Sequence, residues 1–68
     1  MTREQFVTAL AGIEGAGLVW DNDIAWFEGA AVGVQWEGGW ATVWGFGWSE
    51  DVSDPDQLAP LIKKALAQ

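Results

Sequence analysis

Between Trp36 and Trp48 the chain reads WEGGWATVWGFGW, with a tryptophan at every fourth residue and four glycines among them. The spacing of the tryptophans would suit a helix, but each interior glycine would cost that helix about 1 kcal/mol relative to alanine. Alternation of bulky and small residues instead favours β-strands, in which successive side chains point to opposite faces. The segment therefore predicts a β-hairpin.

The turn at Glu37–Gly39 determines which residues of this hairpin share a face. A three-residue loop with Gly39 in the left-handed conformation places Trp36 opposite Trp40. One face is then bulky and apolar, and consists of Val32, Val34, Trp36, Gly38, Trp40, Thr42, Trp44, Phe46 and Trp48. The other face is small and polar, and consists of Gly33, Gln35, Glu37, Gly39, Ala41, Val43, Gly45, Gly47 and Ser49. A two-residue turn at Gly38 and Gly39 would shift the register by one residue and divide the tryptophans between the faces.

An amphipathic helix is predicted near the N-terminus, at about residues 3–14. Thr2 and Gln5 form a capping-box pattern at its start, and Gly15 and Gly17 offer the backbone freedom that ends it. The apolar positions that follow a helical period are Phe6, Leu10 and Ile13.

A second helix is predicted near the C-terminus. Asp54 is a candidate N-cap that precedes Pro55, but Pro60 would interrupt the first turns, so a regular helix is expected only from about Ala59. Its apolar stripe consists of Leu58, Leu61, Ile62, Ala65 and Leu66.

Turn signals between the helices occur at Asp21–Asp23 and at residues 28–31. The order predicts a two-layer α+β fold, with an N-terminal helix, an antiparallel meander of three to four strands and a C-terminal helix. Residues 1–68 are expected to form a single domain, because a chain of this length supports one small core. We expect Trp20 and Trp48 to be partly exposed, since they lie beside a turn and at a strand end.

The charge distribution is one-sided: ten acidic residues oppose three basic ones, and no basic residue occurs between Arg3 and Lys63. The net charge of −7 repels nucleic acid and anionic membranes and attracts basic protein surfaces. The candidate partner-binding residues are Glu50, Asp51, Asp54, Asp56, Asp21, Asp23, Glu28 and Glu37. Solubility of a chain that is half hydrophobic explains the same acids equally well.

Catalytic, metal and cofactor sites are not predicted. Without histidine or cysteine the common nucleophile and base pairs cannot be assembled. Residues 21–28 and 50–56 could offer oxygen ligands to calcium, but neither has the order of an EF-hand loop. No secretion signal and no apolar run near the about 20 residues of a membrane span is found. A cytoplasmic protein is expected, monomeric because like charges repel.

A short, strongly acidic, cysteine-free chain resembles the small inhibitors that bacteriophages and mobile elements direct against host defence, including anti-CRISPR proteins of the DNA-mimic type. The resemblance covers size and charge along the whole chain and includes no sequence motif. It implies a non-enzymatic inhibitor in the bacterial host cell. Its carboxylates would replace phosphates in a basic DNA-recognition groove of a CRISPR effector or another DNA-binding protein.

Two other functions remain open. Tryptophans beside acids are also typical of protein- or carbohydrate-binding modules, in which exposed indoles dock on a protein or stack on sugar rings. A structural subunit that assembles through an edge strand is the other alternative. The DNA-mimic hypothesis requires the aromatic side chains inside and the acids outside.

Overall fold

The structure is a computed structural model that describes residues 1–13 and 17–67. The elements are α1 (Arg3–Ala11), β1 (Gly17–Asp21), β2 (Ile24–Glu28), β3 (Gly33–Trp36), β4 (Ala41–Gly45), β5 (Trp48–Val52) and α2 (Pro55–Leu66). The strands form one antiparallel sheet in the order β1-β2-β3-β4-β5. The predicted α+β fold is therefore confirmed, with five strands where three or four were expected.

The two turns predicted on either side of β2 are confirmed. Asn22 has a positive φ of 54° between β1 and β2, and Gly29 has a φ of 81° after β2. Asparagine and glycine tolerate this left-handed region better than other residues. Local sequence is therefore sufficient to place these two chain reversals.

Helix α1 begins where the capping box predicts. The hydroxyl of Thr2 accepts the backbone N–H of Gln5 at 3.1 Å, and the Gln5 side chain accepts the N–H of Thr2 at 2.8 Å. The helix ends at Ala11 with Gly12 as its C-cap, so the prediction that it runs to about residue 14 was wrong. Gly15 lies outside the described residues, and Gly17 begins β1.

Helix α2 begins at Pro55, so the prediction of a start near Ala59 was wrong. The Asp54 carboxylate caps the helix by accepting the N–H of Asp56 at 2.9 Å. Pro60 lies inside the helix, because the free energy of burying the apolar stripe exceeds the cost of one interior proline. That stripe is confirmed: its buried members are Leu58, Ile62 and Ala65, and its partly buried members are Leu61 and Leu66.

Replacing Pro60 with alanine is expected to stabilise the protein. Pro60 is exposed, so the change removes no core contact, whereas it restores a backbone donor and removes a clash with the preceding turn. We expect the free energy of unfolding, measured by urea denaturation, to rise by about 1–3 kcal/mol. Pro55→Ala is the control, because an N–H restored at the first helical position has no helical acceptor. A lower free energy of unfolding for Pro60→Ala than for Pro55→Ala would contradict this account.

The β3–β4 hairpin has the shorter of the two turns considered, and the three-residue loop was wrong. Glu37 donates its backbone N–H to the carbonyl of Trp40 at 2.8 Å. Gly38 has the positive φ, at 95°, and Gly39 does not. The loop proper is therefore Gly38 and Gly39, and the strands pair one residue out of the predicted register.

This shift divides the tryptophans between the two faces of the sheet. Trp36 pairs with Ala41, and Val34 pairs with Val43. These four residues face the helices together, whereas Trp44 lies on the opposite face. Both predicted faces, the bulky one and the small polar one, were therefore wrong.

The core lies between the two helices and one face of the sheet. It consists of Phe6, Leu10, Ile13, Ala25, Phe27, Val32, Val34, Ala41, Val43, Val52, Leu58, Ile62 and Ala65. Its sheet side is built mostly of alanine and valine, which allows the helices to pack closely on the strands.

None of the six tryptophans, all of which the structure describes, is fully buried. Trp20, Trp26 and Trp40 are 39%, 45% and 39% exposed, and Trp36, Trp44 and Trp48 are half-buried. The expected partial exposure of Trp20 and Trp48 is confirmed. The expectation that the aromatic side chains are turned inward is met only in part: Phe6 and Phe27 are buried, whereas Trp26 and Trp44 lie on the face away from the helices. Alanine and valine occupy most of the sheet positions beneath the helices.

Candidate binding surface

The face of the sheet that points away from the helices, here called the open face, carries two complete rows of side chains. Directly paired residues of neighbouring strands share a face, so the strand register assigns each row. The aromatic row consists of Val19, Trp26, Gly33, Trp44 and Ser49. The polar row consists of Asp21, Ile24, Gln35, Thr42 and Asp51. Each row crosses five strands, a width of roughly 19 Å, and the rows lie about 7 Å apart.

The centre of the aromatic row is a pair of indoles arranged around a glycine. The ring of Trp44 covers Gly33 so closely that a Cβ at Gly33 would lie 2.7 Å from Cε2 of Trp44. The ring of Trp26 lies 5.2 Å from that of Trp44, centroid to centroid, with an angle of 85° between the planes. The Trp44 ring thus lies over the strand, and the Trp26 ring stands beside it at nearly a right angle. We call these three residues the indole corner.

Glycine at position 33 is required for this arrangement. Any side chain there would occupy the volume that the Trp44 ring fills, and the ring would have to move outward. The indole in turn covers a stretch of backbone that would otherwise be open to solvent, and Gly33 is buried. A cross-strand glycine and tryptophan pair of this kind fixes the position of the half-buried Trp44 ring.

The polar row has a carboxylate at each end. Asp21 is exposed on edge strand β1, and Asp51 lies on edge strand β5, where its Oδ1 accepts the hydroxyl of Thr42 at 3.0 Å. Gln35 lies half-buried between them. A third carboxylate, that of Glu28, lies on the open face two residues beyond Trp26. Acids therefore lie on both sides of the aromatic row.

The acids from residue 50 to residue 56 do not form one site. Asp51 is on the open face, whereas Glu50 pairs with Val43 and is on the helix side of the sheet. Asp54 caps helix α2, and Asp56 lies in its first turn. The chain passes from strand to loop to helix within these seven residues, and successive strand residues point to opposite faces.

The two remaining predicted acids lie in turns, outside the strands. Asp23 is in the β1–β2 turn, and its Oδ1 is 3.2 Å from Nη2 of Arg3. This is the one ion pair within residues 1–13 and 17–67. Glu37 is exposed beside the β3–β4 turn. The strand register therefore places Asp21, Glu28 and Asp51 on one surface, and it assigns none of the other five candidates to that surface.

Sequence reasoning missed the apolar members of this surface. Val19, Trp26, Gly33 and Trp44 were not among the candidate site residues. A signal for Trp26 does exist in the segment IAWFE of β2, where Ala25 and Phe27 alternate with it. That alternation places Trp26 on the face opposite the buried pair.

Other kinds of site have little support in the part of the chain that the structure describes. No group of three or more acidic side chains there could hold a metal ion, and neither helix is long and apolar enough to cross a membrane. The sequence matches no protein-family model, and comparison with curated proteins and with solved structures finds no match. The functional argument therefore depends on the geometry and charge of the open face.

Proposed function

We propose that this protein is a non-enzymatic acidic inhibitor whose open face docks on the basic surface of a nucleic-acid-binding protein and excludes the nucleic acid. The observation that supports the proposal is an indole pair, exposed at Trp26 and half-buried at Trp44, that is bordered by carboxylates on a sheet without lysine or arginine. Exposed aromatic patches rimmed by polar groups are typical of protein interfaces. The surrounding charge selects a partner rich in lysine and arginine.

Solubility alone does not account for this surface. Trp26 is 45% exposed and Val19 is 49% exposed, side by side on paired strands. Apolar side chains on a solvent-facing sheet reduce solubility. The acids would keep the chain soluble equally well if polar residues stood at these two positions. Solubility therefore gives no reason for the exposed apolar side chains, which favour a binding role.

The distribution of acids bears on how such an inhibitor would work. Asp21 and Asp51 are separated by the full width of the sheet, roughly 19 Å, whereas duplex DNA carries one charge per about 1.7 Å of axis. Close mimicry of DNA, which requires the aromatic side chains inside, is therefore not part of the proposal. The protein would instead cover a basic groove and pair with two groups of basic residues. Acids outside the open face, such as Asp54 and Asp56, would add long-range attraction.

The DNA-recognition groove of a CRISPR effector belongs to the class of partner that this surface fits. Such a groove is lined by basic residues that contact phosphates. The proposal places the protein in the cytoplasm of a bacterial host cell, as a monomer that binds neither nucleic acid nor membrane directly. Strong negative charge supports both exclusions.

A carbohydrate-binding module is the alternative, and the indole corner is the observation that favours it. Indole rings stack on the apolar faces of sugars, and Gln35 and Thr42 in the adjacent row could exchange hydrogen bonds with hydroxyls. Binding of a neutral sugar would be nearly independent of salt. Binding of a basic protein surface would weaken strongly as salt is added.

A deca-lysine peptide provides a test of the charge requirement. We expect the wild-type protein to bind the peptide at about 50 mM salt and to lose most of that affinity by about 200 mM. The open-face variant combines Asp21→Asn, Glu28→Gln and Asp51→Asn. We expect it to bind roughly tenfold more weakly, because each substitution removes an uncompensated charge from the contact surface. Isothermal titration calorimetry would measure both effects.

The matched control removes the same number of charges from the helix side, by Glu4→Gln, Glu50→Gln and Asp56→Asn. These residues lie in α1, on the helix side of β5 and in α2. We expect the affinity of the control variant for the peptide to fall by about threefold at most, because only the long-range electrostatic attraction is weakened. Equal losses in the two variants, or no binding by the wild-type protein, would contradict the proposal.

A further inference from the structure

We infer that the indole corner is a binding site for an arginine side chain of the partner. The inference rests on the proposed function, since it names the group that the open face recognises. The acids of the open face would attract any cation, and the inference assigns a further role in binding to Trp26 and Trp44. It also distinguishes arginine from lysine, which charge alone does not do.

The two indole planes of the corner suit a flat cation. They stand at 85° with their centroids 5.2 Å apart, so a planar group stacked on one ring directs its edge toward the other. The face of an indole carries negative potential and attracts cations within about 6 Å of the ring centroid. Trp26 and Trp44 both retain exposed surface, so a side chain from outside can reach them.

The corner is held in place before any ligand arrives. The Trp44 ring rests on the backbone of Gly33, in the middle strand of the sheet. The edge-to-face contact between Trp44 and Trp26 fixes the second ring relative to the first. A preorganised site loses less side-chain entropy when the ligand binds.

Two carboxylates lie on the same face of the sheet as the corner. Glu28 is two residues from Trp26 on the same face of β2, a backbone separation of roughly 7 Å, and its Oε2 lies over Gly17 of β1, where an added Cβ would be 3.3 Å away. Asp51 is diagonal to Trp44 across the β4–β5 pair, at about 7–8 Å between backbones. No basic residue of the sheet competes for these acids. The corner therefore offers ring faces at its centre and negative charge at its margin.

Arginine fits this combination better than lysine or a sugar. Its guanidinium is planar, weakly hydrated and able to stack on an aromatic face while its N–H groups pair with carboxylates. The lysine ammonium is compact and strongly hydrated, so it loses more hydration free energy when it leaves water. A neutral sugar would stack on the rings but would gain nothing from the surrounding charge.

Paired decapeptides, deca-arginine and deca-lysine, test the inference by calorimetry. We expect the wild-type protein to bind deca-arginine about three- to tenfold more tightly than deca-lysine. Replacing both Trp26 and Trp44 with leucine should remove this preference and leave deca-lysine affinity within about twofold, because the acids are intact. Bidentate pairing with carboxylates alone would give a preference that survives these substitutions.

Gly33→Ala tests the geometry without changing either tryptophan. The added Cβ displaces the Trp44 ring from the strand, so the preference for deca-arginine should fall to less than half its wild-type value. Gly39→Ala is the control, because a Cβ at Gly39 has nothing within 4 Å and its φ is ordinary. Circular dichroism and urea denaturation would establish that each variant is folded.

The possible outcomes separate the inference from the proposed function. If both decapeptides bind and the preference survives the tryptophan substitutions, the inference fails and the proposed function stands. If neither decapeptide binds the wild-type protein, the proposed function fails as well. If cellohexaose, and not deca-arginine, shifts the indole N–H signal of Trp44 in a ¹H–¹⁵N spectrum, the corner binds sugars and the inference is overturned.

Discussion

Replacing Phe6 with alanine is expected to leave most of the protein unfolded at room temperature. Phe6 has 0% exposure, and its ring centroid lies 5.4 Å from that of Trp36 and 5.9 Å from that of Trp20. Truncating a buried phenylalanine costs about 3–5 kcal/mol. A core of this size supplies only about 3–5 kcal/mol of net stability. Far-UV circular dichroism in a urea series would measure the loss.

Phe46→Ala is the matched control for this prediction. Phe46 is 94% exposed in the turn between β4 and β5, so the same substitution removes almost no buried surface. We expect its free energy of unfolding to change by less than about 0.5 kcal/mol. Comparable losses for the two variants would show that the core does not have the composition described above.

Val43→Asn is expected to unfold the protein, whereas Thr42→Asn should be tolerated. Val43 has 0% exposure beneath the helices, so asparagine there would replace apolar contact with an amide that has no partner. The combined loss is roughly 3–5 kcal/mol. Thr42 lies on the open face and loses only its hydrogen bond to Asp51, at a cost of about 1 kcal/mol or less.

This pair of variants also distinguishes the two possible registers of the β3–β4 hairpin. The three-residue loop would place Thr42 on the apolar face and Val43 on the polar face, and would reverse the order of the two effects. Urea denaturation of both variants would decide the matter. Thr42→Asn as the more damaging substitution would contradict the pairing of Val34 with Val43.

The features that sequence predicted correctly are those that depend on a few adjacent residues. Thr2 and Gln5 form a capping box because their side chains and backbone donors lie within one helical turn. Asp54 caps α2 for the same reason. Asn22 marks a chain reversal through its own tolerance of positive φ. None of these depends on a distant part of the chain.

The register of the β3–β4 hairpin could not be predicted from local sequence alone. Gly38 and Gly39 are adjacent, and either can adopt a positive φ. A change of one residue in the loop exchanges every side chain between the two faces. The choice is decided by tertiary packing, since the observed register buries Val34 and Val43 together beneath the helices. Side-chain size alone favours the tryptophans for the positions beneath the helices.

The candidate site was predictable only in part. The acids could be identified from composition, but their grouping depends on the strand register, which separates Asp51 from Glu50. The indole corner depends on pairings between three strands, β2, β3 and β4. Trp26 and Trp44 depart from the usual pattern of apolar residues inside and polar residues outside. Departures of this kind are expected at functional surfaces.

A chemical-shift map of the wild-type protein would test the central claim most directly, namely that the open face is the surface that receives a basic partner. ¹H–¹⁵N spectra would be recorded while deca-arginine is added at low salt. The account predicts the largest changes at the indole N–H groups of Trp26 and Trp44 and at the amide of Gly33, with little change at the indole of Trp36 on the helix side. Changes concentrated at Asp54–Asp56 instead, or spread evenly over the molecule, would contradict it.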